Sequence, residues 1–174
     1  MRLVLAVVLG GVIAFAWQAF SWMVLPWHGA FMKPFENEAA LTSFLEASAP
    51  EGGLYVHPMD ENAPPGTPFV YAVIVPEGST VTGSKLFTAL LTQILGAALI
   101  AFIVAAVPFG FWYRVMLVVA IGLAAGVLGR MGDAIWWHFP LGYVLVEVAD
   151  LVIAWFLAGL AIAKWVPAWG RTGS

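Results

Sequence analysis

The 174-residue chain has no cysteine. Disulfides, thiolate metal sites, cysteine nucleophiles and c-type haem attachment are therefore excluded. Charge is nearly as scarce: 10% of the residues are Asp, Glu, Lys or Arg, against about a quarter in ordinary soluble domains. The seven basic residues form no patch and the net charge is -3, so nothing supports nucleic-acid binding. No GxSxG, HExxH, phosphate-loop or kinase pattern occurs, and Ser21, Ser43, Ser48 and Ser79 have no acid–base arrangement near them in the sequence. The chain therefore reads as non-enzymatic. Period-2 alternation is also missing from the apolar runs, which argues against a membrane barrel.

What remains is apolar. The chain is 62% hydrophobic with a mean hydropathy of +0.93, the profile of an integral membrane protein. In hydrocarbon, a segment that is not part of a barrel satisfies its backbone groups as a helix. Four blocks are long enough, at ~1.5 Å per residue, for a hydrocarbon layer of ~30 Å or close to it: Leu3–Leu25, Leu86–Val107, Phe111–Leu128 and Leu141–Ala163. The "AFA" of Ala14–Ala16 resembles a signal-peptide cleavage site, but the apolar run continues beyond it, so the first block reads as a retained signal-anchor.

Residues 26–85 hold the polar sequence. "FENEAALTSFLEAS" predicts a short amphipathic helix capped by Asn37, with Leu41, Phe44 and Leu45 on one face. "GGLYVHP" and "PFVYAVIVPEG" predict two strands joined by the turn-rich "MDENAPPGT". The expected architecture is all-α in the membrane: transmembrane helix 1 in residues 1–25, a small α+β cap in 26–85, helices 2–4 in 86–165 and a tail in 166–174. The short "PFG" turn predicts an antiparallel hairpin of the second and third helices.

Basic residues set the expected orientation. With both termini cytoplasmic, the inner side holds Arg2, Arg114, Lys164 and Arg171, and the outer side holds Lys33, Lys85 and Arg130. Trp22, Trp27, Trp136 and Trp137 then mark the outer interface, and Trp112, Trp165 and Trp169 the inner one. Trp17 and Trp155 fall inside the spans. The cap would lie in the periplasm or outside the cell.

Helices in lipid associate through close packing of small residues. Ala97 and Ala101, Gly122 and Gly126, and Ala154 and Ala158 recur at spacing four, with Ala125 and Gly129 alongside. Each stripe suits a neighbouring helix of the same chain or of another subunit.

The polar groups collect on the outer side: Gln18, Ser21, Arg130, Asp133, His138, Glu147 and Asp150. Glu147 and Asp150 share a helix face at i, i+3, ~9 and ~13 Å below the start of the fourth helix. An ionised acid at such depth costs roughly 3 kcal/mol on the lenient insertion scale, so it must face protein or water, pair with a cation, or carry a proton. Two readings follow. One is an outward-opening site for a proton, a cation or a polar headgroup. The other is a sealed ion pair of Arg130 with Asp150 or Glu147, with Gln18 and Ser21 as helix–helix hydrogen bonds. The inner halves of the spans read as nearly pure hydrocarbon, which argues against a proton path through one copy. His28, His57 and His138 show no HxH or HxxxH spacing, so neither a metal site nor a cofactor is expected.

At "FAWQAFSWMVLPWH", "GGLYVHP" and "IWWHFPLGY", with Asp150, Trp155 and Gly159 further on, the chain resembles a loose group of uncharacterised small bacterial four-span membrane proteins. The matching residues are Trp17, Ser21, Pro26, Tyr55, Pro58, Trp137, Phe139, Pro140, Asp150, Trp155 and Gly159. The resemblance implies a bacterial inner-membrane location and a scaffold role for Asp150 and the Trp137–Pro140 corner. The expected function is a non-enzymatic accessory subunit of a larger membrane complex, in contact with lipids and other membrane subunits; a photosynthetic or respiratory assembly is one setting. The competing expectation is a small transporter or lipid-handling protein using the pocket at Glu147 and Asp150.

Overall fold

The computed structural model describes residues 1–60 and 62–167. Trp169 and Arg171, assigned above to the inner side, lie outside the described residues. Among the described residues the elements are α1 (Arg2–Val24), α2 (Glu38–Ser48), β1 (Gly53–His57), β2 (Val70–Ile74), α3 (Gly83–Ala105), α4 (Phe111–Trp136) and α5 (Leu141–Trp165), with a 3-10 turn at Gly29–Phe31. Four of these helices, α1, α3, α4 and α5, are long and apolar enough to cross a membrane.

The ends of the long helices follow local chemistry. Pro26 lies just past the end of α1, and Thr82 caps α3 by accepting the Lys85 N–H. Pro108 follows α3, and Pro140 directly precedes α5. The third helix runs through Trp136 instead of stopping at Leu128. Gly129 and Gly132 weaken a helix without ending it. The Arg130–Asp133 pair at i, i+3 supports the extra turns. The end comes where Trp137 and Phe139 both donate to the Asp133 carbonyl. There His138 takes a left-handed backbone, φ 58°, the conformation glycine usually supplies at a helix end.

The chain divides into two compact units, residues 32–81 and the rest. Residues 26–31 and 82–85, within the stretch expected to form the cap, cluster with the long helices. In the 32–81 unit, Asn37 Oδ1 accepts the Ala40 N–H at 2.9 Å as the cap of α2. β1 and β2 pair antiparallel with Gly53 opposite Ile74 and His57 opposite Val70.

Among the long helices, α5 is central. It packs along α1 on one flank and α4 on the other, and α3 packs chiefly on α1. The expected α3–α4 hairpin exists only as connectivity, because the two helices barely touch. Trp155 explains why. A Cβ placed on Gly96 of α3 would lie 3.1 Å from its indole, and one on Gly122 of α4 would lie 2.9 Å from its Cβ. The indole fills the seam that a hairpin would have closed. Ala97, Ala101, Ala154 and Ala158 are wholly buried around it, and Gly126 meets Val148. At Gly11 a Cβ would fall 2.6 Å from the Ile94 Cα, so α1 and α3 meet backbone to backbone.

The other end of the bundle is not pure hydrocarbon. Arg114, in the first turn of α4, is buried and donates at 3.2 Å to the Ala163 carbonyl of α5 and at 3.2 Å to the Val104 carbonyl of α3. Those carbonyls belong to the last turns of their helices, which lack intrahelical donors and carry the negative end of the helix dipole. Read from the sequence as an orientation marker, Arg114 is a clamp on three helix ends.

Two substitutions test this packing by denaturant titration of the reconstituted protein. Gly122→Leu forces Trp155 out of place and lowers stability by about 1–3 kcal/mol or more. Arg114→Met removes a charged donor from two helix-end carbonyls, of which Val104 keeps the Val107 N–H, and costs about 1.5–3 kcal/mol.

Candidate functional site

Pro26 ends α1 one residue after its cap, and the chain turns back at once. Ala30 donates to the Pro26 carbonyl and Phe31 to the His28 carbonyl. The Trp27 indole N–H donates to Ser21 Oγ at 3.0 Å, which ties the turn to the helix it has just left. Ser21, expected to bond across helices, is used within its own segment. The turn drives His28 inward, where it is 2% exposed.

His28 meets both acids of α5. Its Nε2 stands 3.2 Å from Glu147 Oε1 and 3.6 Å from Asp150 Oδ2. The Trp22 ring stacks on the imidazole with centroids 4.1 Å apart, and the Trp27 ring meets it edge-on at 5.7 Å. The imidazole is thus enclosed by two carboxylates and two indole rings.

The acids have different second partners. Asp150 Oδ1 accepts the Trp17 indole N–H at 2.5 Å, a bond that fastens α1 to α5. Glu147 Oε2 takes Arg130 at 3.0 Å, and Arg130 also faces Asp133 at 3.6 Å. Of the two pairings left open by the sequence, Arg130 with Glu147 is the one present. Asp150 is closed by Trp17 and His28 instead. Nearby, Gln93 donates to Gln18 at 2.6 Å and joins α3 to α1.

Burial grades across the cluster. The side chains of His28, Asp150 and Glu147 are 2%, 5% and 9% exposed, whereas Arg130 is 47% exposed. The carboxylates are therefore inside, with the guanidinium at the edge. His138 is exposed at the corner between α4 and α5, so it does not share the burial of His28. Despite the close approaches, His28 Nδ1 and Nε2 and Glu147 Oε1 have no aligned hydrogen-bond partner among the described residues. The Arg130 guanidinium on Glu147 Oε2 offsets part of the cost of burying that carboxylate. Among the described residues, no three His, Asp or Glu side chains are arranged to hold a metal ion.

The sequence pointed to Glu147, Asp150, Arg130 and Asp133, and singled out Trp17 as a tryptophan within a span. It did not place His28 in the group. The available signal was Pro26 followed by Trp-His and Gly29, a helix stop that returns the chain toward its own helix. Comparison with protein-family models, curated proteins and solved structures finds no match for this chain.

The burial gradient is open to direct measurement, because a chain without cysteine accepts single reporter thiols. A charged thiol reagent should label Arg130→Cys readily and Asp150→Cys slowly, with the rates read by mass spectrometry. In the same assay, Trp17→Phe should raise Asp150→Cys labelling, because it removes the indole N–H and loosens α1 from α5.

Proposed function

We propose that this chain is a non-enzymatic integral membrane protein that serves as an accessory subunit, packed against the helices of a larger membrane assembly. The single observation that carries the reading is the uncovered small-residue face of α4. Ala125, Gly129 and Gly132 lie at i, i+4 and i+7, and nothing comes within 4 Å of a Cβ placed on either glycine. The other small residues, Ala97, Ala101, Gly122, Gly126, Ala154 and Ala158, are consumed within the chain. Lipid gains nothing from a flat helix face, whereas a second helix gains close backbone approach.

On this reading the four long helices span a bacterial inner membrane with both ends cytoplasmic, and residues 32–81 lie on the periplasmic side. The charges of Arg2 and Lys164 support that orientation. The His28–Glu147–Asp150 cluster serves as a latch that holds the 26–31 turn and α1 on α5. A transport role for Glu147 and Asp150 finds weaker support, since both carboxylates are shut in by Trp17, His28 and Arg130.

Gly129→Leu separates assembly from folding, because its side chain enters open space. The variant should insert and fold like the parent, yet migrate as a smaller species when extracted from its native membrane in mild detergent and run on a native gel. Parent protein that migrates as a lone chain at native abundance would overturn the reading.

A further inference from the structure

Between α2 and the β1–β2 sheet of the 32–81 unit lies an open apolar groove. Phe44, Leu45 and Ala49 form one wall, and Tyr55, Val70 and Ile74 form the other. Its volume is about 370 Å³. A second recess of about 310 Å³ shares Leu45, Ala49 and Ile74 with it and reaches Glu46, Pro50 and Pro76. The helix does not close on the sheet. No residue of α2 is buried, and Phe44 is 63% exposed although it lies on the apolar face. An apolar stripe left open beside an apolar sheet face is a surface built for an occupant.

Charge identifies the occupant. Residues 32–81 contain seven acids and one lysine, so they carry more negative charge than the whole chain, whose net charge is -3. Glu46 lines the adjoining recess, and Glu51 and Glu77 directly follow Pro50 and Pro76, which line that recess too. All three acids are exposed and make no ion pair among the described residues. Such a rim repels an anionic lipid surface or a fatty-acid carboxylate and attracts lysine and arginine.

We propose that this groove receives a basic amphipathic segment of a partner protein. Its apolar side chains pack on Phe44, Leu45 and Ile74, and its cations lie over Glu46, Glu51 and Glu77. This interface is separate from the α4 face, and neither depends on the other.

The test uses the full-length protein in discs of zwitterionic phosphatidylcholine, with empty discs as the reference. The probe is a fluorescein-labelled peptide of leucines and lysines at helical spacing, followed by anisotropy. Saturable binding above the reference is expected, weakening as salt shortens the screening length below its value of ~8 Å at ~0.15 M. Replacing the probe's lysines with glutamates should abolish the binding. Phe44→Asp, and separately Glu46→Lys with Glu51→Lys, should each weaken it about tenfold or more, since they remove an apolar anchor and the steering charge. Both substitutions fall on exposed side chains, and circular dichroism checks that the fold is kept. Gly129→Leu should leave peptide binding unchanged, so failure here and failure of the α4 interface are distinguishable. The proposal is overturned if the glutamate peptide binds as well, if a fatty acid displaces the lysine peptide, or if the groove variants bind like the parent.

Discussion

Two carboxylates on the most deeply packed helix impose the main constraint on this fold. Glu147 and Asp150 lie on α5, the helix that α1 and α4 both pack against. An ionised acid surrounded by apolar side chains destabilises any arrangement that leaves it unpaired. Arg130 reaches Glu147 from α4, the Trp17 indole reaches Asp150 from α1, and His28 arrives from the turn after α1. Each of the three comes from a different segment. The acids thereby select one rotation of α1 and α4 about α5, which small-residue packing alone specifies poorly.

The opposite end of the bundle solves the converse problem with one cation. There the deficit lies in the backbone, since the last carbonyls of α3 and α5 have no intrahelical donors. Arg114 supplies donors to both from a third helix. One end neutralises side-chain anions with side-chain donors, and the other neutralises helix termini with a guanidinium. Between them, the core is alanine, glycine, valine, isoleucine, leucine and the indoles of Trp155 and Trp17.

Much of this was legible in the sequence. Unbroken apolar runs gave the four long helices, with the end of α4 placed too early at Leu128, and Asn37 gave the start of α2. The cluster around Glu147 and Asp150 was half legible, because depth along a helix follows from rise per residue. What depth cannot give is azimuth between helices. For that reason the choice between Glu147 and Asp150 for Arg130 stayed open, and Arg114 read only as an orientation marker. His28 escaped because a turn's direction depends on side-chain bonds such as Trp27 to Ser21, which no periodicity encodes. The α3–α4 hairpin failed for a related reason: a short turn sets connectivity, whereas the volume of one indole sets the seam.

The central place of α5 has a consequence in time. It follows α1, α3 and α4 in the chain, so it leaves the ribosome after them. Until it emerges, α4 lacks its principal neighbour and Trp17 lacks its acceptor. Arg114 meanwhile can reach α3 but not the carbonyl of Ala163. Until then α1 and α3 can pair while α4 waits, and the helix that joins them brings both its acids and its bulkiest side chain in a single step. A chain cut short before Leu141 would lose its keystone as well as one stave.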